Sequence, residues 1–172
     1  MAVPVEKYLR TAYHPDVEYV DGELVERHVG DHKHSRLQVL AASWLSLQER
    51  DRRIRVLIGP RLRVSEPEQR YRIPDVCVMA LPYRSEPVLT TPPHLAIEIL
   101  SPDDETADIL AKVAGYLRFG IPHIWIVNPY KGTVLEADRE GIRNCPNLVV
   151  ETELVGQMDF RELFAQLEDF TE

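Results

Sequence analysis

At 172 residues, with 44% apolar and 28% charged side chains, the chain can bury roughly 70% of its unfolded surface in one domain and needs no staple. Its formal charge of −8 and pI of 5.3 argue against a protein that grips nucleic acid by broad cationic attraction, so any such contact must be local. No run approaches the roughly 18 apolar residues of a membrane span. The start, Met1 to Arg10, has no basic leader followed by an apolar stretch, which leads us to expect a cytoplasmic protein. The 2 cysteines, Cys77 and Cys145, are far apart; they suggest neither a disulfide framework nor a thiolate zinc site, and read as packing residues.

No repeat or low-complexity tract divides the chain, so a single domain over 1–172 is expected. Residues 3–12 read as a short helix. Asp21-Gly22 stands between β-prone runs and predicts a hairpin over 18–25. From Asp31 to about Arg50, Leu37, Leu40, Ala41, Trp44 and Leu45 recur at helical spacing and predict the first long helix. Segments 53–59 and 61–66, broken by Gly59-Pro60, read as two strands or one bent strand, and with 71–79 following they suggest a meander. After a proline-rich loop, Leu95-Ala96-Ile97-Glu98-Ile99-Leu100 predicts a central strand. Ser101 to Glu105 supplies the start of a helix running to Phe119, with Gly120 as its stop. Ile124 to Val127 is another buried strand, parallel to the previous one through the helical crossover, and 133–137 pairs beside it. A β segment near 148–154 and a helix from Asp159 complete the chain.

Glu98 carries the chemical signal, because a carboxylate in a buried strand must be paired, protonated or metal-bound. Strand alternation sets Glu98 with Ala96 and Leu100, opposite Ile97 and Ile99. Asp75 stands between Pro74 and Val76 in a second apolar segment, and Pro74, which cannot donate to a ladder, favours a strand opening or edge. Two such acids on adjacent strands make a hard-oxygen site for Mg²⁺ or Mn²⁺. Asp108, Lys112 and Tyr116 share one stripe of the following helix, which aims Lys112 back over the end of the Glu98 strand.

These residues resemble the PD-(D/E)XK nuclease superfamily, and within it the Uma-type restriction endonuclease branch, formerly a domain of unknown function. The likeness covers nearly the whole chain. It rests on Asp21-Gly22-Glu23-Leu24-Val25, His34, Ile73-Pro74-Asp75-Val76, Ala96 to Pro102, Asp108-x-x-x-Lys112-x-x-x-Tyr116, and Gly120 to Pro129. The superfamily's lysine two residues after the glutamate is Leu100 here, and the resemblance implies that Lys112 takes its role. It also places a histidine where His34 stands. Asn128 replaces an aspartate common in the branch and carries no catalytic weight.

The resemblance implies an α/β restriction-endonuclease-like fold, a central mixed sheet flanked by helices and preceded by the hairpin. It further implies a divalent-metal-dependent endonuclease acting on DNA, with Asp75 and Glu98 as metal ligands and Lys112 positioning water or phosphate. Glu23 is either an exposed turn acid or a third carboxylate of the site. His34 is either a phosphate or water contact or a satisfied half-buried histidine, and Lys112 could instead be a surface partner of Asp108. Tyr116 reads as core packing. His28, His32 and His34 lack a fourth ligand at zinc spacing. Arg50, Arg52, Arg53 and Arg55, with Arg61 and Arg63, form either a solvated helix end or a phosphate-contacting rim. Cutting both DNA strands favours a homodimer, with the hairpin as a candidate dimer contact. The rival readings are a non-catalytic nucleic-acid-binding or interaction module on the same scaffold, and a hydrolase of small phosphoesters.

Overall fold

The computed structural model describes residues 3–28 and 30–168; Met1 and Ala2, part of the leader reading, lie outside them. A short helix α1 (Val5–Arg10) precedes the hairpin β1 (Val17–Val20) and β2 (Glu23–Glu26). Asp21 and Gly22 both take positive φ, 54° and 89°, the twist that a two-residue hairpin turn requires. Helix α2 (His32–Ser46) begins at Asp31, whose carboxylate accepts from the His34 N–H at 3.1 Å, leaving the His34 ring on the helix's first inward turn. The helix stops earlier than expected, and a separate turn α3 (Glu49–Arg52) follows.

The predicted meander is not what forms. β3 (Ile54–Ile58) and β6 (Val76–Ala80) join one sheet, whereas β4 (Leu62–Ser65) and β5 (Arg70–Arg72) join another. The expected strand 71–79 breaks at Ile73-Pro74-Asp75, where the prolyl nitrogen cannot donate to a ladder, and its two halves serve different sheets. Asp75 therefore occupies a bend at the opening of β6 and not the interior of a strand.

The main sheet has the order β10-β9-β8-β7-β6-β3, with β7 (Leu95–Ile99), β8 (His123–Asn128), β9 (Thr133–Asp138) and β10 (Gly141–Asn144). Only β7 and β8 run parallel, as the helical crossover through α4 (Thr106–Phe119) predicts; the other pairs in it are antiparallel. Gly120 ends α4 at φ 108°, its N–H reaching the Tyr116 and Leu117 carbonyls, a left-handed cap that glycine adopts without Cβ strain. A second sheet, β2-β1-β5-β4, carries the hairpin, and β11 (Val149–Thr152) pairs with β12 (Gly156–Asp159) before α5 (Phe160–Glu168).

The core divides by sheet face, as period-two alternation requires. Leu95, Ile97 and Ile99 of β7 face Leu37 and Leu45 of α2 and Phe160 and Leu163 of α5, with Trp125 among them. Ala96 and the opposite faces of β6 and β8 pack against Ile109, Val113 and Tyr116 of α4. Glu98 shares that second face, so the one charge in β7 points at α4. A smaller cluster of Tyr8, Tyr19 and Tyr71 joins α1 to the second sheet. Cys77 and Cys145 are both buried free thiols, as packing residues should be. Among the described residues no helix is long and apolar enough to cross a membrane.

Candidate active site

β6 and β7 pair antiparallel with Val76 opposite Ile97, so the opening of β6 lies beside the end of β7 and brings Asp75 alongside Glu98. The Ile99 N–H, one residue past Glu98, donates to Asp75 Oδ2 at 2.8 Å. Both acids line a cleft of about 220 Å³ between the two sheets and α4, together with His34, Lys112, Arg27 and Arg72. Asp75 is only 2% exposed and Glu98 only 3%, which means that each charge must be answered from within the protein.

The answers are specific. Arg27 donates to Asp75 Oδ1 at 2.5 Å, and His34 Nε2 lies 3.3 Å from Oδ2. Burial pushes the Asp75 carboxyl up, but the His34 contact and the Arg27 charge outweigh it and hold it below the usual carboxylate range. Burial likewise lowers His34, and Asp75 more than compensates, so its imidazole is held above its ordinary value. Around Glu98, Lys112 Nζ donates to Oε2 at 3.2 Å and the Tyr116 hydroxyl to Oε1 at 2.5 Å. Here burial wins: it raises Glu98 to about 7 against the pull of Lys112, with the Asp75 and Glu18 charges adding to the rise. Burial works against the Lys112 ammonium too, but Glu98, Glu18 and Asp75 together hold it above the usual lysine value.

Of the residues singled out in the sequence, Asp75, Glu98, Lys112 and His34 meet in this cleft. Glu23 does not; it stands on the exposed β2 opposite Val20 and does not line it. The hairpin's contribution is Glu18, 2% exposed, which accepts from Arg72 at 2.7 Å and from the Ile73 N–H at 2.9 Å and lies 3.5 Å from Lys112 Nζ. The test that singled out Glu98, an acid among β-formers, picks out Glu18 between Val17 and Tyr19 equally well. Tyr116 is core packing, as expected, and a donor to Glu98 as well. Arg27 sits in the connection after β2, where no local signal marks it.

The arginine cluster does not form the rim of this cleft. Arg55 pairs with Glu49 at 2.6 Å, Arg61 with Asp16 at 3.2 Å and Arg63 with Glu66 at 3.5 Å, while Arg52 donates to Gln48 at 2.9 Å. Lys112 is paired with Glu98 and Glu18 across the cleft, whereas Asp108 is an exposed residue of its lining. Asn128 closes a turn, accepting from the Tyr130 and Lys131 N–H groups at 3.0 and 2.9 Å. His28 lies 3.7 Å from Asp104, and His32 is exposed.

A family model described as Uma2, putative restriction endonuclease, matches residues 5–166. The chain belongs to that family. The fold is also that of a solved structure described as a putative nuclease belonging to DUF820 from Anabaena variabilis ATCC 29413, with TM-score 0.81 at 20% identity over 96% of this chain and 99% of that one. A chain of a DrdV–DNA complex aligns at TM-score 0.41 and 11% identity, over 78% of this chain and 11% of that one. Among curated proteins none matches. Membership in Uma2 places the protein among nuclease-type hydrolases, a class that uses divalent metal ions.

The donor set fits such an ion. The two buried carboxylates on neighbouring strands, Asp75 and Glu98, are oxygen ligands of the hard type that Mg²⁺ and Mn²⁺ take. Burial raises Glu98 even with Lys112 beside it, and the Asp75 and Glu18 charges add to that rise.

Tyr116→Phe tests how Glu98 is held. Loss of the buried hydroxyl is expected to cost about 1–3 kcal/mol and to move Glu98 still higher, because the Tyr116 hydrogen bond is one of the influences lowering it. Urea unfolding on either side of pH 7 checks both effects.

Proposed function

We propose that this cleft hydrolyses phosphodiester bonds in DNA, with Mg²⁺ or Mn²⁺ held by Asp75 and Glu98. One observation carries the reading: the Lys112 ammonium stands 3.2 Å from Glu98 and 3.5 Å from Glu18, inside the cleft that Asp75 also lines. A cation bound there would supply Lewis-acid stabilisation of the charge that develops on the phosphate.

The protein's own groups do the rest. Lys112 is held charged by its neighbours and can orient the attacking water or hold a phosphate oxygen. This is the part that position 100, occupied by a leucine packed against the α4-side core, cannot play. The Arg27 and Arg72 guanidiniums in the cleft lining offer planar donors of the kind that recognise phosphate. His34, half-buried, holds Asp75 through Oδ2 while Arg27 holds it through Oδ1. In a chain of formal net charge −8, phosphate contact is local, and Lys112, Arg27 and Arg72 bring positive charge into this cleft. Cutting both strands of a duplex needs two such sites, so we assign the active form to a two-fold pair.

Supercoiled plasmid incubated with the protein and Mg²⁺ or Mn²⁺ is expected to become nicked, and Asp75→Asn to leave it intact. Turnover of small phosphoesters without nicking would move the activity to a different substrate class. An absence of Mn²⁺ binding heat from both wild type and Glu98→Gln would instead make the protein a non-catalytic member of its family.

A further inference from the structure

At the other end of the central strands lies a second group of ligating side chains that the cleft does not use. His94 immediately precedes β7 and His123 opens β8, where the parallel register sets Leu95 against His123. The two rings therefore stand side by side, with centroids 4.9 Å apart. Glu153, in the turn between β11 and β12, closes over them: its Oε2 is 3.1 Å from His123 Nε2 and its Oε1 3.8 Å from His94 Nδ1. One ligand atom from each residue lies within 4.8 Å of the other two, the one such His, Cys, Asp or Glu group among the described residues. Counting from His94 to Glu98 along β7, at about 3.3 Å per residue, puts this group about 13 Å from the cleft acid.

From this arrangement we propose a Zn²⁺ site, formed by His94, His123 and Glu153, that ties the β11–β12 turn to the starts of β7 and β8. Two imidazoles and one carboxylate are a donor set typical of zinc, and they leave a fourth position for water or another donor. Nitrogen ligands of this kind disfavour Mg²⁺, which the all-oxygen cleft suits, so the two sites select different metals. The surroundings of the histidines support the assignment. His94 Nε2 lies 2.9 Å from the buried Thr152 Oγ1, which is itself fixed by the Val155 N–H at 3.1 Å. A hydrogen bond on one ring nitrogen orients the ring and leaves Nδ1 toward Glu153, the outer support that metal-binding histidines commonly have. The backbone is held as well, because the His94 N–H donates to the Val78 carbonyl at 2.8 Å. Access is open, since the Glu153 side chain is 74% exposed and His123 28%, while His94 at 10% forms the floor. The ion would join a two-stranded hairpin to the six-stranded sheet at a point where no backbone ladder connects them.

The test uses the full chain stripped of metal, with excess Mg²⁺ present to saturate the cleft. Zn²⁺ titrated calorimetrically is expected to bind at one equivalent, and Co²⁺ used in its place to give the visible absorption of a four-coordinate nitrogen–oxygen site. His123→Ala should abolish both signals. Glu153→Ala, in an exposed turn where folding is not at stake, should do the same. Thr152→Val should weaken binding about tenfold to a hundredfold. Glu98→Gln should leave Zn²⁺ binding intact, which separates this site from the cleft. Absence of one-equivalent binding in wild type overturns the proposal, as does binding that survives Glu153→Ala or disappears in Glu98→Gln.

Discussion

Replacing Lys112 with methionine is expected to lower plasmid nicking by about 10²–10³-fold, the usual cost of removing one preorganised charge from a phosphoryl-transfer site. The same substitution should destabilise the fold by about 3–5 kcal/mol, because it takes the shared ammonium away from two buried carboxylates. Glu98 then loses its Lys112 partner, and Glu18 keeps Arg72. Lys112→Arg separates the two effects. It preserves the charge between Glu18 and Glu98 and should recover most of the stability, but a planar guanidinium cannot reproduce the placement of a single ammonium, so nicking should stay low. Urea denaturation alongside the plasmid assay reads both quantities. Methionine at 112 with full nicking activity would remove lysine from the mechanism.

Glu98→Gln is expected to move activity and stability in opposite directions. Nicking should fall to background, because a neutral amide is a poor ligand for a hard cation. The metal-free protein, however, should become more stable above pH 7. The sign follows from the direction of the shift. Burial raises the folded-state Glu98 from an ordinary 4.5 to about 7, so the folded protein holds a proton over that interval that the unfolded chain has released. Its stabilising contribution is complete below about 4.5 and is lost as the pH rises through about 7. Glutamine resembles the protonated acid and does not titrate, so its advantage on the alkaline side should be on the order of 3–4 kcal/mol. Asp75 works the other way: it is held below its ordinary 3.8, and its contribution is present at neutral pH and lost on acidification. Thermal melts of metal-free wild type and Glu98→Gln across this range test the argument. A wild-type curve that does not fall between about 4.5 and 7 would show that Glu98 is ionised throughout. Cation affinity should rise over the same interval, since the ion and the proton compete for one carboxylate.

The coexistence of these effects in one residue explains why the cleft is built as it is. On the proposed reading, the carboxylate that would receive a cation is costly while it waits, and the fold offsets that cost with Lys112, Tyr116 and partial protonation. Filling the site removes the strain, so added Mg²⁺ or Mn²⁺ should stabilise wild type more than Glu98→Gln.

Sequence patterns alone determined much of this protein. The Asp21-Gly22 turn, the apolar stripe of α2, the buried runs of β7 and β8 and the Gly120 stop are local signals, each decided by backbone preference or side-chain period within a few residues. The pairing of β7 with β8 follows from the crossover between them. Glu98 and Asp75 stood out for the same reason, because an acid among buried apolar neighbours demands a partner wherever it is. Tertiary structure decided what those partners are. Which strands share a sheet depends on pairings distant in sequence, such as Ile54 with Ala80 and Tyr19 with Tyr71, so β3 to β6 divided between two sheets where local pattern suggested a meander. The choice of Glu18 over Glu23 depended on which side of β1 turns toward α4, a matter of register against β5 that the Asp-Gly turn does not encode. Arg27 entered the site from a connection with no periodicity to read, and His94, His123 and Glu153 met only because a parallel strand pair and a distant hairpin turn end at the same place. Local chemistry marked the groups that need an answering charge, and the long-range packing of two sheets and a helix supplied it.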